Sequence, residues 1–591
     1  MFNKTHGSKY VFFNLKNPNQ KSNCLSDDTN ISCSASVPLD VARSIIDRDI
    51  ARLEERVRAL KSRRNELSPI YRLPVEVLCN IFSFAKDNEL FFLRRRRGPE
   101  SWTNFSHVSQ HWRSLALSAP ELWTNIPIKY PRWAQEMLIR SKRAKLTIRS
   151  FFKPWTPKAF ETVRSCLYEM NRVEEIDFTA IPGCILEEIF RDLPKSAPQL
   201  HTLCIDSPHS AAFQIDDDFI YDTERLQHVE LTNCKISWDS RLLTGLTRLT
   251  LEDSLTANCS TIQVLHALQQ MPALTDLYLE NSIPDDSEVP STYPVVDLPC
   301  LRVLHISSGV DAMTTVLRHI TFPHITFLNL TCRDYKSTQI DFSNFLSVLT
   351  TKFLSSLVIE CLRLRVSINA QSHGLDFELW ALPSSPISAE PLIVQLHMSW
   401  PSQQALGHVK VLTCAFDAMS LPFLTDLEIT IDELTGGCID SQTWVKTFGK
   451  LPLLKWVCVQ GNDPRSFLEA LIYKTEAAKK SKTAYHNVSF PKLRYIRLQE
   501  TNFAWNNPTS MSVDTLLDYL MERCERKAAV RELDLNDCYS ISSDDVKRLG
   551  EIVVDVIWDG IEREIPEEDD DDEDFIEFSS SSFSSLSSEE W

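Results

Sequence analysis

Hydrophobic side chains recur at heptad spacing in the first part of the chain. Six aliphatic residues follow steps of four and three residues: Ile46, Ile50, Leu53, Val57, Leu60 and Leu67. Arg64 interrupts one stripe, charged residues fill the other positions, and Pro69 ends the pattern. This spacing predicts an amphipathic helix over residues 39–68. About three heptads are compatible either with docking on the following domain or with a short dimerising coiled coil.

Two shorter helical patterns follow within residues 69–130. Pro74 stands where a helix begins, and apolar residues at 77, 78, 81, 82 and 85 give that helix one apolar face. A basic loop at 94–99 leads to a second helical pattern over residues 105–116, which ends before Pro120. We predict a small all-α module of two or three helices, too small to form a large core without a neighbour or a partner.

A strand pattern then repeats through the rest of the chain. The template L-x-x-L-x-L, with other aliphatic residues or Phe allowed, begins at thirteen positions: Val173, Leu200, Leu226, Leu246, Leu274, Leu301, Ile325, Leu354, Ile393, Leu424, Leu454, Leu493 and Val530. Helical patterns lie between several of these strands, as at residues 262–271 and 513–524. The spacing of 20–30 residues in the first half is typical of leucine-rich repeats. It predicts an α/β solenoid over residues 131–558, with insertions in its C-terminal half. Residues 360–392 fit the template poorly and are interpreted as an insertion.

Both ends of the chain lack such patterns. Residues 1–38 are rich in Asn, Ser and Lys, and we predict a disordered leader. Residues 559–591 contain eight consecutive acids at 567–574 and then a Ser-rich run. Because like charges repel one another and cannot pack, we predict a disordered acidic tail.

Charge changes this picture little, because most of it lies in the tail. The chain carries 62 Lys and Arg against 80 Asp and Glu, a net charge of −18. The predicted tail contributes −13 of this, which leaves −5 for the other 558 residues. A nucleic-acid or anionic-membrane partner would require a basic face, so we expect neither.

Glycine and cysteine argue against several classes of protein. The 591 residues include only 13 glycines and no phosphate-binding or nucleophile-elbow motif, so nucleotide-loop enzymes and such hydrolases are disfavoured. The 16 cysteines are scattered and form no C-x-x-C pair. The sequence also shows neither a signal-peptide pattern nor an apolar stretch long enough to span a membrane. We therefore expect an intracellular protein of the cytoplasm, the nucleus or both, with reduced thiols. His107 and His111 have helical i, i+4 spacing, but without further ligands nearby we predict no metal and no cofactor.

The predicted strands place a set of side chains on one open face. Residues that flank the strand leucines alternate outward and would line the concave side of the solenoid. In the first half these are Asp206, Glu230, Glu252, Asp276, Tyr278, Glu280 and His305; in the second they are Trp456, Gln460, Tyr495, Arg497 and Gln499. One hypothesis is that this acidic stripe, with its aromatic residues as anchors, binds a basic segment of another protein. The other is an ordinary solvated surface.

Two segments carry a resemblance to a known family. Residues 73–82 read LPVEVLCNIF, and residues 108–123 read VSQHWRSLALSAPELW. With the preceding charged helix and the repeats after them, they resemble the F-box proteins with C-terminal leucine-rich repeats that are expanded in mushroom-forming basidiomycete fungi. The segment between Leu73 and Val108 is longer than in a compact F-box, and His111 stands where a basic residue is more usual.

The resemblance implies a function in recruitment and no catalytic residues. It implies a substrate-recognition subunit of a cullin–RING (SCF-type) ubiquitin ligase, with the F-box bound to a Skp-type adaptor and through it to a cullin. The adaptor-binding residues would be Leu73, Pro74, Val77, Leu78, Ile81, Phe82, Val108 and Trp112. The repeats would bind an unidentified client protein. The heptad spacing of residues 39–67, independently of the resemblance, would allow a dimer. The alternative is a leucine-rich-repeat scaffold that acts independently of ubiquitin.

Overall fold

The computed structural model describes most of the chain between residues 38 and 564. The described ranges are 38–92, 102–150, 156–209, 212–254, 256, 259–285, 289–290, 292–322, 326–333, 342–354, 360–369, 374–382, 392–400, 408–419, 421–431, 439–461, 464–473, 488–504 and 511–564. The chain divides into two units, residues 1–116 and residues 117–591. The basic loop at 94–99, most of the predicted leader and residues 565–591 of the predicted tail lie outside the described residues.

Fifteen α-helices lie within the described residues. They are α1 (Leu39–Glu66), α2 (Val75–Phe92), α3 (Phe105–Val108), α4 (Gln110–Ser118), α5 (Pro131–Arg140), α6 (Pro157–Leu167), α7 (Gly183–Phe190), α8 (Thr261–Gln269), α9 (Val310–His319), α10 (Ser343–Val348), α11 (His408–Ala418), α12 (Ser441–Thr447), α13 (Arg465–Ile472), α14 (Val513–Glu525) and α15 (Ser543–Gly550). Short 3₁₀ turns occur at Pro69–Arg72, Trp102–Asn104, Pro120–Trp123, Met170–Arg172 and Arg241–Leu243, and a π-helix at Leu349–Leu354. Among the described residues, none of these helices combines the length and apolarity needed to cross a membrane.

All the strands described belong to the second unit. They are β1 (Asn125–Pro127), β2 (Leu146–Ser150), β3 (Val173–Phe178), β4 (Thr202–Asp206), β5 (Phe213–Ile215), β6 (His228–Thr232), β7 (Cys234–Ile236), β8 (Arg248–Glu252), β9 (Asp276–Glu280), β10 (Val296–Asp297), β11 (Val303–Ser308), β12 (Ile320–Thr321), β13 (Phe327–Arg333), β14 (Glu360–Asn369), β15 (Gly374–Leu382), β16 (Leu392–Ser399), β17 (Asp426–Ile431), β18 (Trp456–Gln460), β19 (Tyr495–Gln499), β20 (Glu532–Asp534) and β21 (Asp555–Ile557).

Seventeen of these strands form one sheet that follows the chain almost in order. The neighbours run β1, β2, β3, β4, β6, β8, β9, β11, β13, β16, β15, β14, β17, β18, β19, β20 and β21. All pairs are parallel except the two that involve β15. β5 with β7 and β10 with β12 form two small parallel sheets beside it. The second unit is therefore a large, mostly parallel sheet with helices.

Buried leucines explain why the strands form where the template predicts them. In β4, β6, β8 and β9, buried and more exposed residues alternate, and the buried ones are aliphatic. In most repeats the strand itself begins two residues after the first template leucine, as β8 does after Leu246. That leucine is buried, although it lies just outside the strand. Each fully buried leucine contributes about 1.5–3 kcal/mol, so every repeat fixes its own position in the sheet.

The turns after three neighbouring strands use Asn or Asp where many proteins use glycine. Asn233, Asp253 and Asn281 have positive φ of 51°, 49° and 48°. Asn and Asp tolerate this left-handed conformation better than other side chains do. Their backbone N–H groups donate to carbonyls of the next repeat, at 2.7 Å for Asn233 and 2.9 Å for each of the other two. The low glycine content is therefore compatible with tight, regular turns.

One prediction of position is corrected by the structure, and another falls outside the described residues. The template also begins at Leu354, which ends the π-helix after α10, and residues 355–359, where its strand would lie, are outside the described residues. The predicted tail begins at Asp559, yet residues 559–564 are ordered. Arg563 pairs with Asp559 at 2.6 Å, and its backbone forms a β-bridge with Tyr539. These contacts hold the first residues of the acidic segment on the folded unit.

Residues 360–392 are interpreted from the sequence as an insertion, and the strands described there, β14 and β15, form an antiparallel excursion together with β16. β14 lies two places beyond its position in chain order, because β15 and β16 fold back and place β16 beside β13. β14 then pairs in parallel with β17, so the regular series resumes on its far side. The long alternating strands explain the misfit, since they do not follow the six-residue template.

Candidate functional site

Helix α2 begins directly after Pro74 and has two different faces. Leu78 and Phe82 are fully buried, whereas Val77 and Ile81 are each 40% exposed and Phe84 is 72% exposed. Residues three or four positions apart share one helix face, so the three exposed residues form a continuous apolar strip. We call Val77, Ile81 and Phe84 the α2 strip.

The buried side of α2 is held by aromatic contacts within the first unit. The ring of Phe82 stacks on Phe105 with centroids 4.9 Å apart and meets Trp112 edge-on at 5.0 Å. The backbone N–H of Trp112 donates to the Ser109 hydroxyl at 3.1 Å, at the beginning of α4. These contacts join α2, α3 and α4, and Phe82 lies at their centre.

The residues predicted to bind an adaptor therefore divide into exposed and buried groups. Pro74, Val77, Ile81 and Val108 are exposed, Leu73 and Trp112 are half-buried, and Leu78 and Phe82 are buried. The exposed group lies where a partner could contact it directly. The buried group supports the helices that carry the exposed one.

The first half of the sheet brings the predicted acidic and aromatic residues onto neighbouring strands. Glu230, Tyr278 and His305 occupy one row across β6, β9 and β11, with Thr250 of β8 between the first two. Asp206, Thr232, Glu252 and Glu280 occupy the next row. The rings of Tyr278 and His305 stack with centroids 5.2 Å apart. The strand register therefore places these predicted residues next to one another on the same face of the sheet.

Basic side chains neutralise part of this face. Arg248 lies 3.3 Å from Asp276, and Arg333 lies 3.1 Å from Glu280. Burial, followed by the charge of Glu280, raises the pKa of Glu252. Burial also lowers the pKa of His305. The face is therefore a mixed surface of acids, arginines and one aromatic stack.

The second half of the sheet brings together the other predicted residues. Trp456 of β18 is the register partner of Tyr495 of β19, and Gln460 is the partner of Gln499. Trp456 and Tyr495 line an open depression together with Thr425, Asp426 and Lys455. Arg497, two residues along β19, lies 3.7 Å from Asp534. This depression offers aromatic surface between one acid and one base.

The structure also assembles a group that the sequence pattern does not predict. Cys204, His228 and Glu230 place their ligating atoms within 4.8 Å of one another, and this is the only such group of His, Cys, Asp and Glu found in the described part of the chain. Cys204 and Glu230 are register partners on β4 and β6. Burial, with added repulsion from Glu230, raises the pKa of the Cys204 thiol. The signal missing from the sequence is the register between β4 and β6, because Cys204 lies 24 residues before His228 and 26 residues before Glu230.

Other cysteines at the ends of strands are structural. Cys234, Cys332 and Cys538 are buried, and burial raises the pKa of Cys234 and Cys538 to about 12. The Cys538 thiol donates to the carbonyl of Leu498 at 3.2 Å. Such thiols are poor nucleophiles, because the thiolate is the reactive form.

Comparison with known proteins identifies the helical segment. Residues 70–129 match the F-box-like family model, a range that includes α2, α3, α4 and β1. No curated protein matches the chain. The match covers the helices whose apolar strip and aromatic contacts are described above. The chain thus carries an F-box-like domain at residues 70–129, which supports its assignment as an F-box protein.

Proposed function

We propose that this protein is the substrate-recognition subunit of an SCF-type cullin–RING ubiquitin ligase. The F-box-like match at residues 70–129 is the observation that carries the proposal, since an F-box binds a Skp-type adaptor. The protein would supply no catalytic group. It would hold a client close to the ubiquitin carrier, so that catalysis follows from proximity.

The adaptor would contact the exposed apolar group of the F-box-like domain. Val77 and Ile81 in the α2 strip, with Pro74 and Val108, provide this surface. A contiguous apolar surface on a small helical module is typical of a partner interface. Leu78, Phe82 and Trp112 would act indirectly, because they position α2 against α3 and α4.

The second unit would be a leucine-rich-repeat solenoid that binds the client. The nearly sequential parallel strands, the buried leucine pattern and the repeated turns at Asn233, Asp253 and Asn281 support this proposal. The alternating exposed residues of the strands would form its concave face. Membership of the basidiomycete family stays a proposal that rests on the resemblance of residues 73–82 and 108–123.

The client would be a protein with a basic and aromatic segment. Glu230, Glu252 and Asp206 carry negative charge on the first half of the sheet. In the second half, Trp456 and Tyr495 offer aromatic anchors beside Asp426 and Lys455. Aromatic residues in a depression are the side chains most often found at the energetic centre of an interface.

Helix α1 would join two copies of the protein. It has 28 residues, and within the part of the chain that the structure describes none of them is buried. Ile46, Ile50, Leu53, Val57 and Leu60 remain exposed along one stripe. The docking alternative would require burial of this stripe, so its exposure favours a second copy as its partner. Such a complex would act in the cytoplasm, the nucleus or both.

The test is co-expression of the full chain with the Skp-type adaptor of the same organism, followed by gel filtration. We expect a complex with one adaptor per chain, and we expect Val77→Asp with Ile81→Asp to abolish it by placing charges in an apolar contact. Val554→Asp is the matched control, because Val554 is an exposed valine of the second unit. It should retain the complex.

A second variant tests the residues before α2. Leu73→Ala with Pro74→Ala should also lose the adaptor while the second unit stays folded. A folded wild-type chain that never co-elutes with the adaptor would contradict the proposal. That result would favour the alternative function, a leucine-rich-repeat scaffold that acts independently of ubiquitin.

A further inference from the structure

Three different metal-binding side chains converge on the exposed face of β4 and β6. The Cys204 Sγ atom lies 3.8 Å from Oε2 of Glu230, and Nε2 of His228 lies 3.8 Å from the same oxygen. His228 and Glu230 are two residues apart on β6, so both point to the same side of the sheet. Cys204 reaches them from the neighbouring strand.

These separations are close to those of a tetrahedral metal site. Zinc bonds of about 2.3 Å to sulfur and about 2.0–2.2 Å to nitrogen or oxygen place the ligand atoms roughly 3.3–3.6 Å apart. Each observed 3.8 Å separation exceeds this only slightly. The third pair, the Cys204 sulfur and a ring nitrogen of His228, lies within 4.8 Å, so metal binding would require the side chains to move closer together.

We propose that Cys204, His228 and Glu230 form a binding site for a divalent transition metal, with zinc as the best match. A thiolate, an imidazole and a carboxylate together are typical ligands of zinc, whereas magnesium and calcium prefer oxygen alone. Binding replaces the thiol proton of Cys204, so one S–H bond breaks, one metal–sulfur bond forms and one proton is released. No oxidant or reductant takes part.

The surroundings favour a cation at this position. Glu175 and Asp177 on the adjacent strand β3 add negative charge beside Cys204. Arg149 offsets part of it, at 2.7 Å from Glu175 and 3.9 Å from Asp177. Arg248, which acts on His228, is itself paired with Asp276. The net local charge is therefore negative.

Exposure leaves a fourth coordination position open to solvent. The His228 and Glu230 side chains are 27% and 51% exposed. Three protein ligands with one open position are the arrangement in which zinc accepts a water molecule or a donor atom from a bound molecule. The metal would also link β4 to β6 through their side chains.

The experiment is a titration of the full-length reduced protein with Co²⁺, which replaces zinc and absorbs visibly when a thiolate is bound. We expect one equivalent to produce a thiolate-to-cobalt charge-transfer band that Zn²⁺ removes. Cys204→Ser should abolish the band, and His228→Gln should weaken Co²⁺ binding at least tenfold. Cys184→Ser is the matched control, because Cys184 is an exposed cysteine on α7 outside the group. It should leave the band unchanged.

A second measurement needs no variant. Zn²⁺ should protect Cys204 of the wild-type protein from alkylation while Cys184 and Cys300, both exposed, stay reactive. A folded wild-type protein without the band, a band that persists in Cys204→Ser, or an alkylation rate of Cys204 unaffected by Zn²⁺ would each overturn the proposal. Because neither measurement involves an adaptor, the result is independent of the proposed ligase function.

Discussion

The two units use their exposed surfaces in different ways. In the first, α1 and the α2 strip leave aliphatic and aromatic side chains exposed, with Leu53 63% exposed. In the second, the exposed sheet face is mostly polar, and several of its charges are already paired, as Arg248 is with Asp276. The first unit therefore has more to gain from burial against another protein. The second unit is stabilised mainly by its own core.

The strongest test of this contrast makes the same substitution in both units. Leu279→Ala removes a fully buried side chain from β9 and should lower the free energy of unfolding by roughly 2–5 kcal/mol. At a protein concentration low enough to keep the chain monomeric, Leu53→Ala in α1 should change it by about 0.5 kcal/mol or less, because that side chain is exposed in the single chain. Urea denaturation of the two variants measures both. Equal losses would contradict the contrast.

A charge in the α1 stripe should act on association instead of on folding. Leu53→Asp should raise the dissociation constant for self-association roughly 100-fold, since the charge would be buried between two helices. Sedimentation equilibrium of the wild-type and variant proteins measures this. Arg58→Asp, which also adds an acid to α1 but outside the stripe, should have a smaller effect. A wild-type protein that stays monomeric would show that the stripe does not bind a second copy.

Helix capping gives a smaller difference between the units. Ser260 caps α8 in a reciprocal arrangement with Gln263, so Ser260→Ala should cost about 1 kcal/mol of unfolding free energy. Ser44 lies within the exposed helix α1, and Ser44→Ala should change the stability by about 0.5 kcal/mol or less. Denaturation midpoints compare the two. A loss from Ser44→Ala as large as that from Ser260→Ala would contradict this difference.

The smallest expected effect concerns pH and the sheet face. Burial lowers the pKa of His305 below its ordinary value of 6.5. The negative charge of Glu280 opposes this shift, and the positive charge of Arg333 adds to it. His305 in the unfolded chain therefore binds a proton more readily than His305 in the folded protein. The neutral, buried imidazole thus contributes its full stability above about pH 6.5, and this contribution is lost as the pH falls below that value. His305→Gln should lose less stability than the wild type between about pH 7.5 and about pH 5.5. Equal losses in denaturation experiments at the two pH values would contradict this.

The sequence predicts where the strands lie along the chain better than it predicts which strands are neighbours in the sheet. The first template leucine locates β8 and β9 because each leucine is buried within its own repeat. The template does not predict that β13 pairs with β16 instead of with β14. Similarly, the apolar pattern of α2 does not distinguish the buried Phe82 from the exposed Ile81, since both are large and hydrophobic. The group of Cys204, His228 and Glu230 depends on register between strands, which no local pattern contains.

The excursion of β14, β15 and β16 also sets an order for folding during synthesis. β13 pairs with β16 instead of with the next strand made, so its free edge stays open until Leu392–Ser399 have left the ribosome. An unpaired strand edge is a template for pairing with other chains. By contrast, β4, β6, β8 and β9 each receive their neighbour from the following repeat. We therefore expect an open strand edge, and with it a tendency to aggregate, from the completion of β13 until β16 is made.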